Sequence, residues 1–307
     1  MSEKITLNFL GTSSSTPTKD RNLTSLLINY KGVNYLFDSC ENVQQQIIRS
    51  GQSLLKIKHI FITHFHGDHY YGLLGLLSSM SLNKREDDLD LYFPEGYKSL
   101  IENFIKYGNV NLTYKLNFIE LKKNQVISFN DLSITTIKLD HSILSYGYVF
   151  KIKDKVGKFD KQKALKLKIP EGPLFSKLQA GKSIKVDGKT ILPKQVMDYS
   201  FKKEGKKIIY FTDTTPLKTS LKIFESPDIL IHECTFSDSE IDKAKSMKHT
   251  SATELSLFAK KISAKSLYVV HISARYKDTN DILKEVKKNY KSVIIPKDLD
   301  FVEILDY

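Results

Sequence analysis

Short apolar runs recur along the first 150 positions, each ended by Gly, Asn, Asp or Lys. Residues 5–10, 25–30, 33–37, 60–63, 89–93, 117–121, 132–139 and 146–152 are rich in Ile, Tyr, Phe and Val, so they predict strands. Between them, residues 43–50, 69–83 and 97–107 place apolar side chains at helical spacing. A second series starts near Lys206, with strands expected at 207–212, 229–232, 266–271, 293–295 and 301–304 and helices at 252–262 and 281–288. No sequence repeat links the halves, yet their texture is alike. That suits two β-sheets facing each other with helices outside.

The stretch between the halves changes the picture. From Lys151 to Met197 there are thirteen lysines against four acids, and the few apolar residues are interrupted by Gly172-Pro173, Gly181, Gly188 and Pro193. Such a segment is expected to stay out of the core, either as a solvated insertion or as a basic arm for nucleic-acid phosphates. Most of the chain's net charge of +12, from 47 basic and 35 acidic residues, sits in this stretch. A basic surface favours a polyanionic partner.

With 307 residues, 41% of them hydrophobic, the chain can fill one large α/β domain or two modest ones, which excludes disorder, collagen and a coiled coil. Cys40 and Cys234 have no second thiol nearby, so neither a disulfide framework nor a thiolate metal cage is expected, and a reducing cytosol is the expected compartment. The first eleven residues lack a signal-peptide core, and no uncharged run approaches the ~20 residues that cross a bilayer. A soluble, unexported chain is expected.

The densest chemistry lies in His64-Phe65-His66-Gly67-Asp68-His69. Leaving a strand, His64 and His66 point to one side by the period of two, while a turn at Gly67 brings Asp68 and His69 back toward the same space. Four ligand-type side chains in six residues can serve two neighbouring cations, and imidazole with carboxylate suits zinc or manganese. Asp140-His141, Asp213 and His271 each follow an apolar run, at the strand ends where α/β sheets gather their sites.

In that order the ligand pattern resembles the metallo-β-lactamase superfamily. The resemblance implies an αββα sandwich of two facing mixed β-sheets with outer helices, residues 1–307 forming one such domain with the arm 151–197 inserted. It also implies two zinc ions per subunit, with manganese or another divalent ion as the alternative. His64, His66 and His141 would hold one ion and Asp68, His69 and His271 the other, with Asp213 bridging and Asp38 supporting the ligands from behind.

Pro17-Thr18-Lys19-Asp20-Arg21-Asn22 is similar to the Pro-x-Lys-x-Arg-Asn loop of the short-form ribonuclease Z family. Gly172-Pro173-Leu174-Phe175, His232-Glu233-Cys234-Thr235, His249-Thr250-Ser251 and the run from His271 to Tyr276 resemble further motifs of that family, in the same order. The resemblance implies an endoribonuclease that removes the 3′ trailer of precursor tRNA, leaving a 3′-hydroxyl on the tRNA and a 5′-phosphate on the trailer. Asp68 would be the base, His249 the proton donor and Glu233 its orienting partner. Lys19, Arg21, Asn22, Gly172, Pro173, Lys177 and Arg275 would contact RNA, and the arm of one subunit in a cytoplasmic homodimer would clamp tRNA for the other. No membrane and no other protein partner is implied.

After Asp38, where the family shows two glycines, this chain has Cys40 and Asn42, which puts the local backbone in question. Ser251 and Glu254 form a capping box, so these two residues need only start a helix. The rival reading is a hydrolase of the same fold acting on a small ester, thioester or lactone. It leaves the lysine-rich arm and the Lys19 loop without a role.

Overall fold

The computed structural model describes residues 3–217 and 222–306, and these divide into two compact units, one of residues 1–151 and 206–307 and one spanning Ile152–Gly205. The larger unit contains two sheets of seven strands. In the first, Phe301–Asp306, Glu3–Gly11, Ser25–Tyr30 and Val33–Phe37 run antiparallel, and Ile57–Phe61, Leu89–Pro94 and Leu116–Leu121 follow parallel to the last of them. In the second, Val293–Ile294, Leu267–Val270, Ile229–Glu233 and Lys207–Phe211 are parallel, while Tyr146–Ile152 pairs antiparallel with Lys207–Phe211. Leu132–Lys138 and Val126–Ser128 complete the order.

Aromatic side chains fill the space between the sheets. Phe61 stacks on Tyr92 with centroids 4.4 Å apart and on Phe37 at 5.2 Å, and Tyr148 of the second sheet meets it edge-on at 5.3 Å. The Tyr148 hydroxyl donates to the Ile62 carbonyl at 2.7 Å, which gives this buried phenol a partner and fixes one sheet against the other. On the outer faces, Val43–Arg49 and Leu73–Leu82 pack with Ile101 over the first sheet, and Ala252–Lys261 and Asn280–Asn289 cover the second. The expected sandwich of two mixed sheets with helices is what forms.

Two boundaries differ from the sequence pattern. The single helix expected at 69–83 is two, Gly67–Tyr70 and Leu73–Leu82. Gly72 separates them, so close to the backbone of Cys40 that a Cβ there would lie 1.8 Å from its carbonyl oxygen. Of the two positions where glycines were expected, Cys40 and Asn42, only Asn42 has a positive φ. Asn42 takes the left-handed conformation, φ 62° and ψ 9°, which asparagine tolerates better than most residues.

The smaller unit begins at Ile152 and ends at Gly205, eight residues beyond the expected boundary at Met197, because Met197–Lys203 returns as a strand to pair with Lys155–Phe159. Its apolar residues are few and, as expected, stay out of the larger unit's core, but they are not left in solvent. Ala164, Ile169, Leu178, Ile184, Ile191 and Val196 gather into a core of their own. Helices Lys161–Lys166 and Pro173–Gln179 and the hairpin of Ile184–Val186 with Lys189–Ile191 enclose it. Asp187 and Gly188, both at positive φ, supply the tight turn of that hairpin.

Phe61 is fully buried within the aromatic column, so Phe61→Ala removes both stacking partners and leaves a cavity. We expect about 3–5 kcal/mol less stability in equilibrium urea unfolding. A loss below about 1 kcal/mol would show that the column does not hold the sheets together.

Candidate metal centre

The loops that leave the strand Ile57–Phe61 and the strand ends of the second sheet meet at one edge of the sandwich. There His64, His66, His141 and Asp213 form one group of potential ligands, and Asp68, His69 and His271 form another. Asp213 joins them. Its Oδ2 lies 3.8 Å from both His64 Nε2 and His141 Nε2, and its Oδ1 lies 3.3 Å from His69 Nε2 and 3.1 Å from His271 Nε2. Asp68 Oδ2 sits 3.5 Å from His69 Nε2 and 3.7 Å from His271 Nε2, held by a hydrogen bond from the Ser15 amide at 2.9 Å.

Which ring nitrogen is free follows from the partner of the other. The Thr63 hydroxyl has one proton and lies within hydrogen-bond reach of both oxygens of Asp38, so it donates there and accepts from His64 Nδ1 at 3.0 Å. Thr235 repeats this logic: its hydroxyl donates to Glu233 at 2.7 Å and accepts from His271 Nδ1 at 2.9 Å. His69 Nδ1 donates to Asp38 at 2.9 Å and His141 Nδ1 to the Lys248 carbonyl at 3.2 Å. Four histidines thus turn Nε2 inward.

These inward atoms need a cation. His66 Nδ1 lies 3.0 Å from His64 Nε2 and 3.2 Å from His141 Nε2. A tetrahedral zinc site with N–Zn near 2.05 Å has ligand edges of roughly 3.3 Å, so the spacing fits. His69 Nε2, His271 Nε2 and Asp213 Oδ1 are buried without a hydrogen-bond partner, although they converge. Burial pushes His64, His66 and His141 toward their neutral, ligating form. For His69 burial is outweighed by Asp213, Asp38 and Asp68, which raise it well above the ordinary value. Burial also opposes ionisation of Asp68 and Asp213, yet the adjacent histidines hold both well below the usual carboxylate range. The same surplus of carboxylate charge suits the binding of divalent metal.

His249 approaches from the loop before helix Ala252–Lys261, its Nε2 4.0 Å from Asp213 and its Nδ1 2.8 Å from Glu233. Burial disfavours the imidazolium, but Glu233 overrides it and raises His249 to about 9. Glu233 is fully buried and accepts from the amides of Thr214 and Thr235 as well, so its position is over-determined.

The residues proposed for RNA fall apart into different settings. Lys19 is exposed, but the Arg21 guanidinium turns inward to donate to Thr12 and the Pro296 carbonyl, and Asn22 donates to the Glu41 carbonyl. Those contacts brace the loop. Arg275 lies over the Phe236 ring and pairs with Glu240. In the smaller unit, Gly172 and Pro173 start the helix Pro173–Gln179, and Lys177 is exposed in its last turn. Thr63, Thr235 and the Lys248 carbonyl were not foreseen. They orient ligand histidines, and nothing in a lone threonine or a backbone carbonyl marks it in a sequence.

The family described as "Anti-Pycsar protein Apyc1" matches residues 5–163. A ribonuclease Z of Nitrosopumilus maritimus is 39% identical over 298 residues, spanning 97% of this chain and 99% of its own. One from Methanosarcina acetivorans is 37% identical over 299 residues and 97% of each chain, and a ribonuclease BN of Proteus mirabilis is 36% identical over 302 residues, 96% of this chain and 98% of its own. Among solved structures, the short form of human tRNase Z superposes with TM-score 0.68 at 22% identity over 97% of this chain and 98% of that one. The metallo-β-lactamase fold protein YhfI of Bacillus subtilis superposes at 0.70 with 16% identity over 98% and 100%. The two structures show the fold. The match over residues 5–163 places that part of the chain in the described family, and over nearly its full length the chain belongs to the ribonuclease Z family.

Proposed function

We propose that this chain is a dinuclear zinc endoribonuclease that removes the 3′ trailer from precursor tRNA, leaving a 3′-hydroxyl on the tRNA and a 5′-phosphate on the trailer. The observation that carries the proposal is Asp213, whose two oxygens face two separate groups of inward-turned imidazoles. When bound, a pair of divalent ions supplies an activated water and stabilises the charge of in-line displacement at phosphorus. Asp68, ionised and held by Ser15, accepts the proton of the attacking water. His249, kept protonated by Glu233, gives a proton to the departing O3′ of the last retained nucleotide.

The enzyme works as a homodimer in the cytoplasm, and the lysine-rich unit is the exosite for the tRNA, recognised by shape and phosphates. Two buried, unpaired cysteines support the reducing compartment. Among the described residues no helix is long and apolar enough to cross a membrane. Lys19 and Lys177 are exposed for phosphate contacts, whereas Arg21, Asn22 and Arg275 act by shaping their loops. The decisive experiment is incubation with a 3′-extended precursor tRNA and added zinc or manganese; failure to cut next to the last nucleotide retained in mature tRNA would reject the function.

The purified chain should contain close to two transition-metal ions, and Asp213→Ala should lose most of both. Elemental analysis finding no zinc, iron or manganese in active protein would end the dinuclear reading.

Asp68 and His249 should separate on substitution. Asp68→Ala should lose metal and activity together, whereas His249→Ala should keep both ions and lose on the order of 10²–10⁴ in kcat. Near-normal turnover in His249→Ala would remove it from the chemistry.

Lys151 and Lys207 are register partners in neighbouring strands, so the smaller unit is inserted at the tip of a β-hairpin. Replacing residues 153–205 by a two-residue turn should leave the sandwich and its metals intact. It should raise KM for precursor tRNA and reduce the salt slope of binding by roughly 0.7–0.9 for each phosphate contact removed. Unchanged KM and salt dependence would mean that the unit does not hold tRNA.

A further inference from the structure

A cavity of about 500 Å³ opens beside His249, between the loop that follows Asp213 and the helix Ala252–Lys261. Thr215, Pro216 and Leu217 line it from the loop, and Leu257 and Phe258 from the helix. Leu257 is 51% exposed, an apolar side chain left at the cavity although the helix has a buried face on which Leu255 and Ala259 are fully covered. Lys245, Lys261, Asp140 and Glu254 complete the lining. None of these residues belongs to either ligand group, and the cavity touches the reaction centre only through His249.

We propose that this cavity receives the base of the last nucleotide retained on the tRNA. The inference rests on the function proposed above. His249 lies 4.0 Å from Asp213 and also lines the cavity, so a nucleotide whose 3′ oxygen sits at the ligand groups has its base within one nucleotide's reach of that space. The cavity is the space that His249 itself helps to line, and it is larger than a single base needs. Its walls match the chemistry of a base. Apolar side chains from two elements offer surfaces for the two faces of a flat ring, which is the sequence-tolerant way to hold an unpaired base. Asp140 is already paired with Lys248 and accepts from Thr215, and Glu254 accepts from Ser251 in the helix cap, so the base is held by the apolar walls, while Lys245, exposed in helix Ile241–Ser246, carries the charge that a flanking phosphate requires. Holding the base positions O3′ against the proton donor, so the contact acts in the step as well as in binding.

The test combines a substrate change with a protein change. Precursor tRNAs carrying either a normal or an abasic residue at the last retained position are compared with wild-type enzyme and with Leu257→Asp and Leu257→Ala. Circular dichroism and metal content confirm that each variant is folded and loaded. Wild type should cut the abasic substrate on the order of 10- to 100-fold less efficiently in kcat/KM, the scale of one stacked base. Leu257→Asp should lose that preference and Leu257→Ala should lose part of it, so that the two effects are not additive. The proposal is overturned if wild type cuts both substrates equally well, if Leu257→Asp keeps the full preference, or if the sensitivity lies instead at the first trailer nucleotide. Absence of any precursor cleavage by wild type would instead reject the function on which the inference rests.

Discussion

The carboxylate of Asp213 is almost fully buried, yet it is ionised and faces four imidazoles, and the rest of the site is arranged to make that tolerable. A buried anion without compensation is too costly to keep, so charge has to be brought to both of its oxygens. Histidines alone do this incompletely, because burial drives His64, His66 and His141 neutral. The two groups of side chains suit divalent cations, which would resolve the conflict. The second ring of contacts follows from the same requirement: Asp38 and Thr63 behind His64 and His69, Thr235 behind His271 and Lys248 behind His141 each remove one tautomer from the available set.

Much of this could be read in the chain. The ligands sit where apolar runs end, and a run of Ile, Val and Tyr that terminates in His or Asp carries both the strand and the site it serves. What escaped were contacts without a pattern. The break at Gly72 depends on how near the Cys40 carbonyl comes, and the left-handed Asn42 replaces a glycine for reasons of backbone geometry alone. Arg21 was expected to contact RNA because its loop resembles a family motif, while the Pro296 carbonyl to which it donates together with Thr12 lies far away along the chain.

The smaller unit was the least legible element, since composition reported its lysines and understated its core. Six buried apolar residues in a segment of this length suffice only because two helices, a hairpin and a closing strand pair surround them. Core and charge are therefore separable: the apolar side chains shape the unit, and most of its lysines are exposed on its surface.

The ligands are also spread unevenly along the chain. Five of the seven candidate ligands, from His64 to His141, are synthesised before the strand Tyr146–Ile152, whereas Asp213 and His271 follow later strands of the second sheet. On the ribosome, an incomplete chain can display the histidine cluster but has neither the shared carboxylate nor the last imidazole. The full set of candidate ligands is therefore present only once the chain has been made as far as His271.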